Sequence, residues 1–263
     1  QVNIQVDEGT ISRIKEINVV GNRIYTTESL LDSFTLKVTN FLSWYNKDDR
    51  YSRQILNGDL EQLRSFYMDK GYLDFKINSS IIRISESKKH VYIDISIDEG
   101  NKYTFAESKL SGKYENVPEL LLQAQIGTYQ GNIFSRSEVT ATTARLNQIL
   151  GDYGYAFSNA NAIPDVDKKE RTVAFNYFID PGKKIYVRRI NFFGNEKTKD
   201  SVMRRQLRQF ESSWYSKSKV DRSKARLSQT QYFDNIDLQT SNVPGATDQI
   251  DVNFHVVERN TGK

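Results

Sequence analysis

The stretch VYIDISIDEG, residues 91–100, alternates without a break. Val91, Ile93, Ile95 and Ile97 fall on one side, and Tyr92, Asp94, Ser96 and Asp98 on the other. Period two with one polar face describes a strand in a sheet covered on one side only. The same ending is written twice more, as VNIQVDEG closing at Gly9 and VAFNYFIDPG closing at Gly182. The three glycines stand 91 and 82 residues apart, which is domain spacing rather than solenoid spacing. A second marker repeats in step with the first. INVVGN reaches Gly21, SKLSGK reaches Gly112 and INFFGN reaches Gly194, again 91 and 82 residues apart. Two markers in register make one module written three times.

Between the markers each copy carries two helical patterns. The first is short: TTESLLDSF from Thr26, VPELLLQAQ from Val117 and TKDSVMRRQLRQF from Thr198. Thr26 or Thr27 can cap the first, and Pro118 suits a helix start, where its missing N–H costs nothing. The second pattern is clearer. Leu56, Leu60, Leu63 and Tyr67 form a three-four stripe that Gly71 ends as a left-handed cap. In the second copy Ser135 and Glu138 have capping-box spacing, Val139, Leu146 and Ile149 or Leu150 form the buried side, and Gly154 closes the helix. In the third, Ser218 and Asp221 repeat the box spacing, and Gln231 stands where the glycine would be, so that cap is expected to be built differently. Two alternating strands finish each copy, with a hairpin turn at Ser85–Lys89 in the first.

The fold class that follows is α+β: tandem units of order β-α-α-β-β, each a three-stranded mixed sheet covered by two helices. The expected domains are residues 10–100, 101–182 and 183–260. Residues 1–9 are the terminal strand of a preceding unit, and 261–263 begin a further region. Gly9, Gly100 and Gly182 are the expected interdomain hinges, since each ends a strand just before the next unit begins. Adjacent Asp98 and Glu99 without further ligands make a poor metal cage.

Composition leaves the broad class open and removes several functions. With no cysteine, disulfides and thiolate chemistry are excluded. No segment approaches the roughly 18 apolar residues of a spanning helix. A net charge of +4 is too mild to argue nucleic acid. His90 sits in a hairpin turn and His255 at an outward position, and no metalloprotease, phosphate-loop or nucleophile-elbow motif occurs. Neither an enzyme nor a cofactor is expected. Charge is uneven, however: from Lys183 to Arg226 there are fourteen Lys or Arg against four Asp or Glu. Such a surface suits an acidic partner or anionic lipid headgroups.

The DEG ending, the GN turn and LRSFYMDKGY (63–72) together resemble polypeptide-transport-associated, or POTRA, domains. The resemblance runs from Gln1–Gly9 through all three units. YVRRINFFGNEKTKDSVMRRQLRQFESSWY (186–215) resembles the domain directly before a membrane barrel, and VVERNTG (256–262) the passage into it. This implies the third to fifth periplasmic domains of a Gram-negative outer-membrane protein of the barrel-assembly kind, with barrel and earlier domains lying outside the chain. It further implies that the last strand of each unit is central, with the first and second strands outside. The implied partners are accessory outer-membrane lipoproteins and unfolded outer-membrane proteins, with an anionic lipid surface possible and no nucleic acid. A related secretion transporter, or a basic membrane-surface module, is the alternative.

Three sites are expected on this basis. The second strand of the first unit should be an open edge for strand addition, through Phe75, Ile77, Ser80, Ile81 and Ile84. Ile77, Ile81 and Ile84 cannot share one alternating face, so a bulge, a bend or an early strand end is expected there. Arg204, Arg205, Arg208 and Glu211 should contact a helical lipoprotein, with Arg204 and Arg208 on one helix face. Phe41, Trp44 and Tyr45, in the insert between the helices of the first unit, either pack over the helices or form a candidate aromatic patch for a partner.

Overall fold

The computed structural model describes residues 12–39, 49–114 and 116–259. They divide into two compact units. The first holds the described residues up to Ala106 with Gln130–Ser137 and Val166–Val173; the second holds Glu107–Tyr129, Glu138–Asp165 and the chain from Ala174. Compactness therefore cuts through the second sequence repeat and not between repeats.

In the first unit, β1 (Arg13–Val20) is followed by α1 (Thr27–Leu31), α2 (Arg53–Asp69), β2 (Lys76–Ile84) and β3 (His90–Asp98). The sheet order is β1-β3-β2, with β1 parallel and β2 antiparallel to the central β3. The central position explains the clean alternation of β3. Val91, Ile93, Ile95 and Ile97 are all buried, and they pack with Leu56, Leu63 and Tyr67 of α2. Thr26 caps α1 through Ser29 N–H, and Ser52 caps α2 through Ile55 N–H. Of the bulge, bend or early strand end expected in β2, a bulge occurs, between Ile77 and Ser79. The same unit also holds β4 (Thr104–Phe105), paired with the start of β7 (Thr172–Asp180).

The second unit contains β5 (Lys109–Gly112), α3 (Glu119–Gln123), most of α4 (Arg136–Asp152) and of β6 (Asn159–Asp167), and the rest of β7. The first strand of this repeat is thus broken in two, β4 and β5, both parallel to β7. The unit continues through β8 (Tyr186–Phe193), α5 (Asp200–Arg204), β9 (Ser213–Trp214), α6 (Lys217–Gln229), β10 (Phe233–Asn242) and β11 (Gln249–Glu258). Its last sheet runs β10-β11-β8-β9, so the three expected strands gain a two-residue fourth. Val187, Ile190, Leu227, Val252 and Phe254 are at its core.

Two local expectations are corrected. The third copy's first helix stops at Arg204 instead of running on to Phe210. The N–H groups of Arg208 and Gln209 turn to the Ser223 hydroxyl, 2.8 and 3.3 Å away, and Leu207 enters the core. The cap of α6 is Ser216, which accepts from Lys219 N–H, and not Ser218. Gln231 meanwhile keeps the left-handed backbone, at φ 59°, that glycine supplies in the other copies.

Candidate interaction site

Three edge strands follow the second helices, and their residues set how open each is. β2 ends its sheet and carries no proline. Ile81 and Ile84 are each 55% exposed, while Ile77 and Ile82 pack against the core. Arg83 forks onto Asp94 of β3 at 2.6 and 2.9 Å and lies over the Tyr92 ring, which stiffens the outer face. Ser80 pairs with Ile95, beyond the bulge, and its hydroxyl is buried without a partner. Phe75 belongs elsewhere. It precedes β2, and its buried ring stacks on Tyr67 at 4.3 Å, so it seats the strand without offering an edge. The other two edges are guarded: β6 has Pro164, which carries no backbone donor, followed by Asp165 and Asp167, and β10 carries Asp234 and Asp237.

Arg204 and Glu211 come together on another edge. β9 pairs only with Tyr186 and Val187 of β8. Just beyond its reach, Glu211 Oε1 accepts from Ile190 N–H at 2.7 Å, and Arg204 Nη2 donates to Ile190 C=O at 2.9 Å. The two side chains pair at 3.2 Å, and Arg204 also holds Asp200 at 2.6 Å. Together they satisfy one residue of β8 as a neighbouring strand would. Arg205 and Arg208 are exposed but do not continue a helix face with Arg204, because the helix has ended.

The basic surface of the third repeat is partly committed. Arg188 forks onto Asp251, and that hydrogen-bonded guanidinium holds the Asp251 carboxyl below its usual range. Lys184 lies 4.6 Å from the centre of the Trp214 ring, and Lys183 reaches Thr247. Arg189 is exposed. Phe41, Trp44 and Tyr45, and Gly9, lie outside the described residues. Gly100 and Gly182 adopt nearly the same backbone, φ 67° and 66°, each N–H bonded to the aspartate two residues before it.

Two recurrent clasps escaped the sequence pattern. Glu99 of the opening stretch is buried, accepting from Arg23 N–H, Ile24 N–H and the Tyr67 hydroxyl at 3.0, 3.2 and 2.8 Å. Burial and this bond push the Tyr67 phenol up. Glu258 does the same for Lys197 and Thr198, whose donors hold its carboxyl low. The glutamate thus ties the end of the central strand to the loop after the GN turn. The second clasp sits in the longer helices, seven residues after Ser52, Ser135 and Ser216. There Asp59, Thr142 and Ser223, all buried, accept from the loop N–H groups of Thr35 and Leu36, of Gly127, and of Arg208 and Gln209. The available signal was a polar residue on the buried stripe at one recurring offset.

A family model described as "POTRA: Surface antigen variable number repeat" matches residues 12–100, 103–182 and 185–259. The chain belongs to the POTRA family. Its three POTRA repeats are similar to the outer membrane protein assembly factor BamA of Neisseria meningitidis, 33% identical over 261 residues and 99% of this chain. They are also similar to BamA of Buchnera aphidicola, 31% identical over 263 residues. The chain spans 33% and 42% of the length of those two relatives. Among solved structures, the crystal structure of Haemophilus influenzae BamA POTRA3-5 shares the fold with a TM-score of 0.82. It is 23% identical and is covered in full by 97% of this chain.

Proposed function

We propose that these POTRA repeats are a periplasmic scaffold of the outer-membrane β-barrel assembly machinery, acting by binding and not by catalysis. The relatives that match 99% of the chain are outer membrane protein assembly factors, and the open edge of β2 carries the reading. An edge strand bonds an extended polypeptide through backbone groups, which suits unfolded substrates of many sequences. It also suits a β-rich accessory lipoprotein. The test is a proline pair, Ser80→Pro and Ile81→Pro. Successive N–H groups point to opposite sides of a strand, so one of the two removes an outward donor and spares the ladder with β3. The variant that stays folded should lose cross-linking to an extended outer-membrane-protein peptide. Unchanged cross-linking in that variant rejects the edge.

The third repeat is the proposed contact for a helical lipoprotein, through Glu211 with Arg205 and Arg208. Since Glu211 also holds Ile190 N–H, Glu211→Lys should both abolish capture and lower stability, by about 1–3 kcal/mol for the orphaned donor. Glu211→Gln separates the two effects, because its amide oxygen can still accept from Ile190. Capture should weaken in Glu211→Gln while its melting temperature stays near that of the wild type. Full capture by this variant would show that the charge makes no contact.

A further inference from the structure

The end of each longer helix does more than stop. Within the first compact unit, Asp69, the last residue of α2, accepts from Ser135 Oγ at 3.0 Å and from Ser137 N–H at 2.7 Å. Ser135 immediately precedes α4 of the next repeat. Within the second unit, Asp152, the last residue of α4, accepts from Ser216 Oγ at 2.9 Å, Ser218 N–H at 2.7 Å and Ser218 Oγ at 2.6 Å. Ser216 caps α6 of the repeat after it. A carboxylate at one helix end thus sits on the first turn of the following repeat's helix, where exposed N–H groups favour negative charge.

A main-chain bond accompanies each carboxylate. Gly71 C=O accepts from Tyr103 N–H and Gly154 C=O from Ile185 N–H, both at 2.8 Å. A Cβ at Gly71 would stand 2.9 Å from the side chains of Ile133 and Lys102, and one at Gly154 2.8 Å from Lys184. These glycines permit the left-handed turn, and they also let the next repeat approach. At the second joint Gln148 adds a bond to Ser218 Oγ.

The third repeat lacks the device. Its helix α6 has 13 residues against 17 in α2 and α4, one turn fewer, and it ends on Gln229 without a carboxylate. At about 1.5 Å per residue it stops roughly 6 Å short of the corresponding position.

We infer that Asp152 is an inter-repeat latch, clamping the helix start of the third repeat so that the joint at Gly182 pivots only when the latch opens; Asp69 makes the same kind of clasp on Ser135 and Ser137 within the first unit. Within the second unit, the orientation of the third repeat is then set by the end of α4 and not by the linker at Gly182.

The chain has no cysteine, so spin labels can be placed without background. Labels on Asn161→Cys in β6 and Thr240→Cys in β10, both exposed, report the second joint by electron–electron double resonance in the whole chain. The latched protein should show one narrow distance. Asp152→Ala should lose that single peak for a broad distribution, with circular dichroism unchanged, whereas Gln229→Ala should keep it. A distribution in Asp152→Ala that superposes on the parent's overturns the latch. Should Asp152→Ala fail to fold, Ser218→Ala is read instead. It leaves Ser216 capping α6 and removes one of the three bonds; broadening there supports the latch, and an unchanged peak overturns it.

Discussion

Ile95→Asp will unfold the first compact unit and leave the third repeat intact. Ile95 is fully buried at the centre of β3, paired with Val19 on one side and Ser80 on the other. Losing the buried side chain costs about 1.5–3 kcal/mol. The carboxyl must then be buried charged, or protonated with its pKa raised by up to about 3 units, equivalent to about 4 kcal/mol. The sum reaches the 5–15 kcal/mol or so that holds a domain together. Hydrogen exchange is the measurement. Protection should vanish in β1, β2 and β3, and fall in Gln130–Ser137, which belongs to the same compact unit. Peptides from α6 and β11 should keep theirs. Retained protection in β3 would refute the assignment of Ile95 to an indispensable core.

Gly194→Ala will strongly destabilise the third repeat, for a different reason. Gly194 has φ 86°, and a Cβ there would stand 2.2 Å from the carbonyl oxygen of Val256. That oxygen belongs to the central strand β11, so it cannot retreat without breaking the sheet. The left-handed backbone alone costs alanine about 1–2 kcal/mol, and overpacking adds about 1–3 kcal/mol. Gly245 separates the two contributions, with φ 81° but nothing within 4 Å of its added Cβ. Gly245→Ala should lose only the conformational part, and thermal melts of the two variants should differ by several degrees. Equal melting temperatures would mean that the strand end yields more easily than its position implies. The same close approach, 2.1 Å, recurs at Gly21 with Ile97 and at Gly112 with Ile179, which is why the glycine marks every copy.

The repeated module was legible because its signals are local. Alternation along β3 and β7, the three-four stripe of α2 and the recurring glycines each depend on residues close in the chain, and backbone geometry alone ties them to strand, helix and turn. They determined the order of elements, the buried face of each unit's last strand and the α+β class. The central place of the last strand came from the family resemblance. An irregularity in β2 was legible too, but only the structure showed that a bulge brings Ile77 and Ile82 to the core and leaves Ile81 and Ile84 exposed.

What remained hidden depended on partners far along the chain. Glu99 looked like part of a linker until the fold brought Arg23, Ile24 and Tyr67 around its carboxylate. Arg204 and Glu211 looked like neighbours on one helix, yet they meet because the helix stops early and both turn to Ile190. Nothing in the sequence pattern singled out Asp69 and Asp152, and only tertiary structure set them on serines 66 and 64 residues away. A polar side chain's sequence shows what it can donate or accept. Which group it meets is decided by packing, because burial makes an unmet hydrogen bond costly and selects the one arrangement that satisfies it.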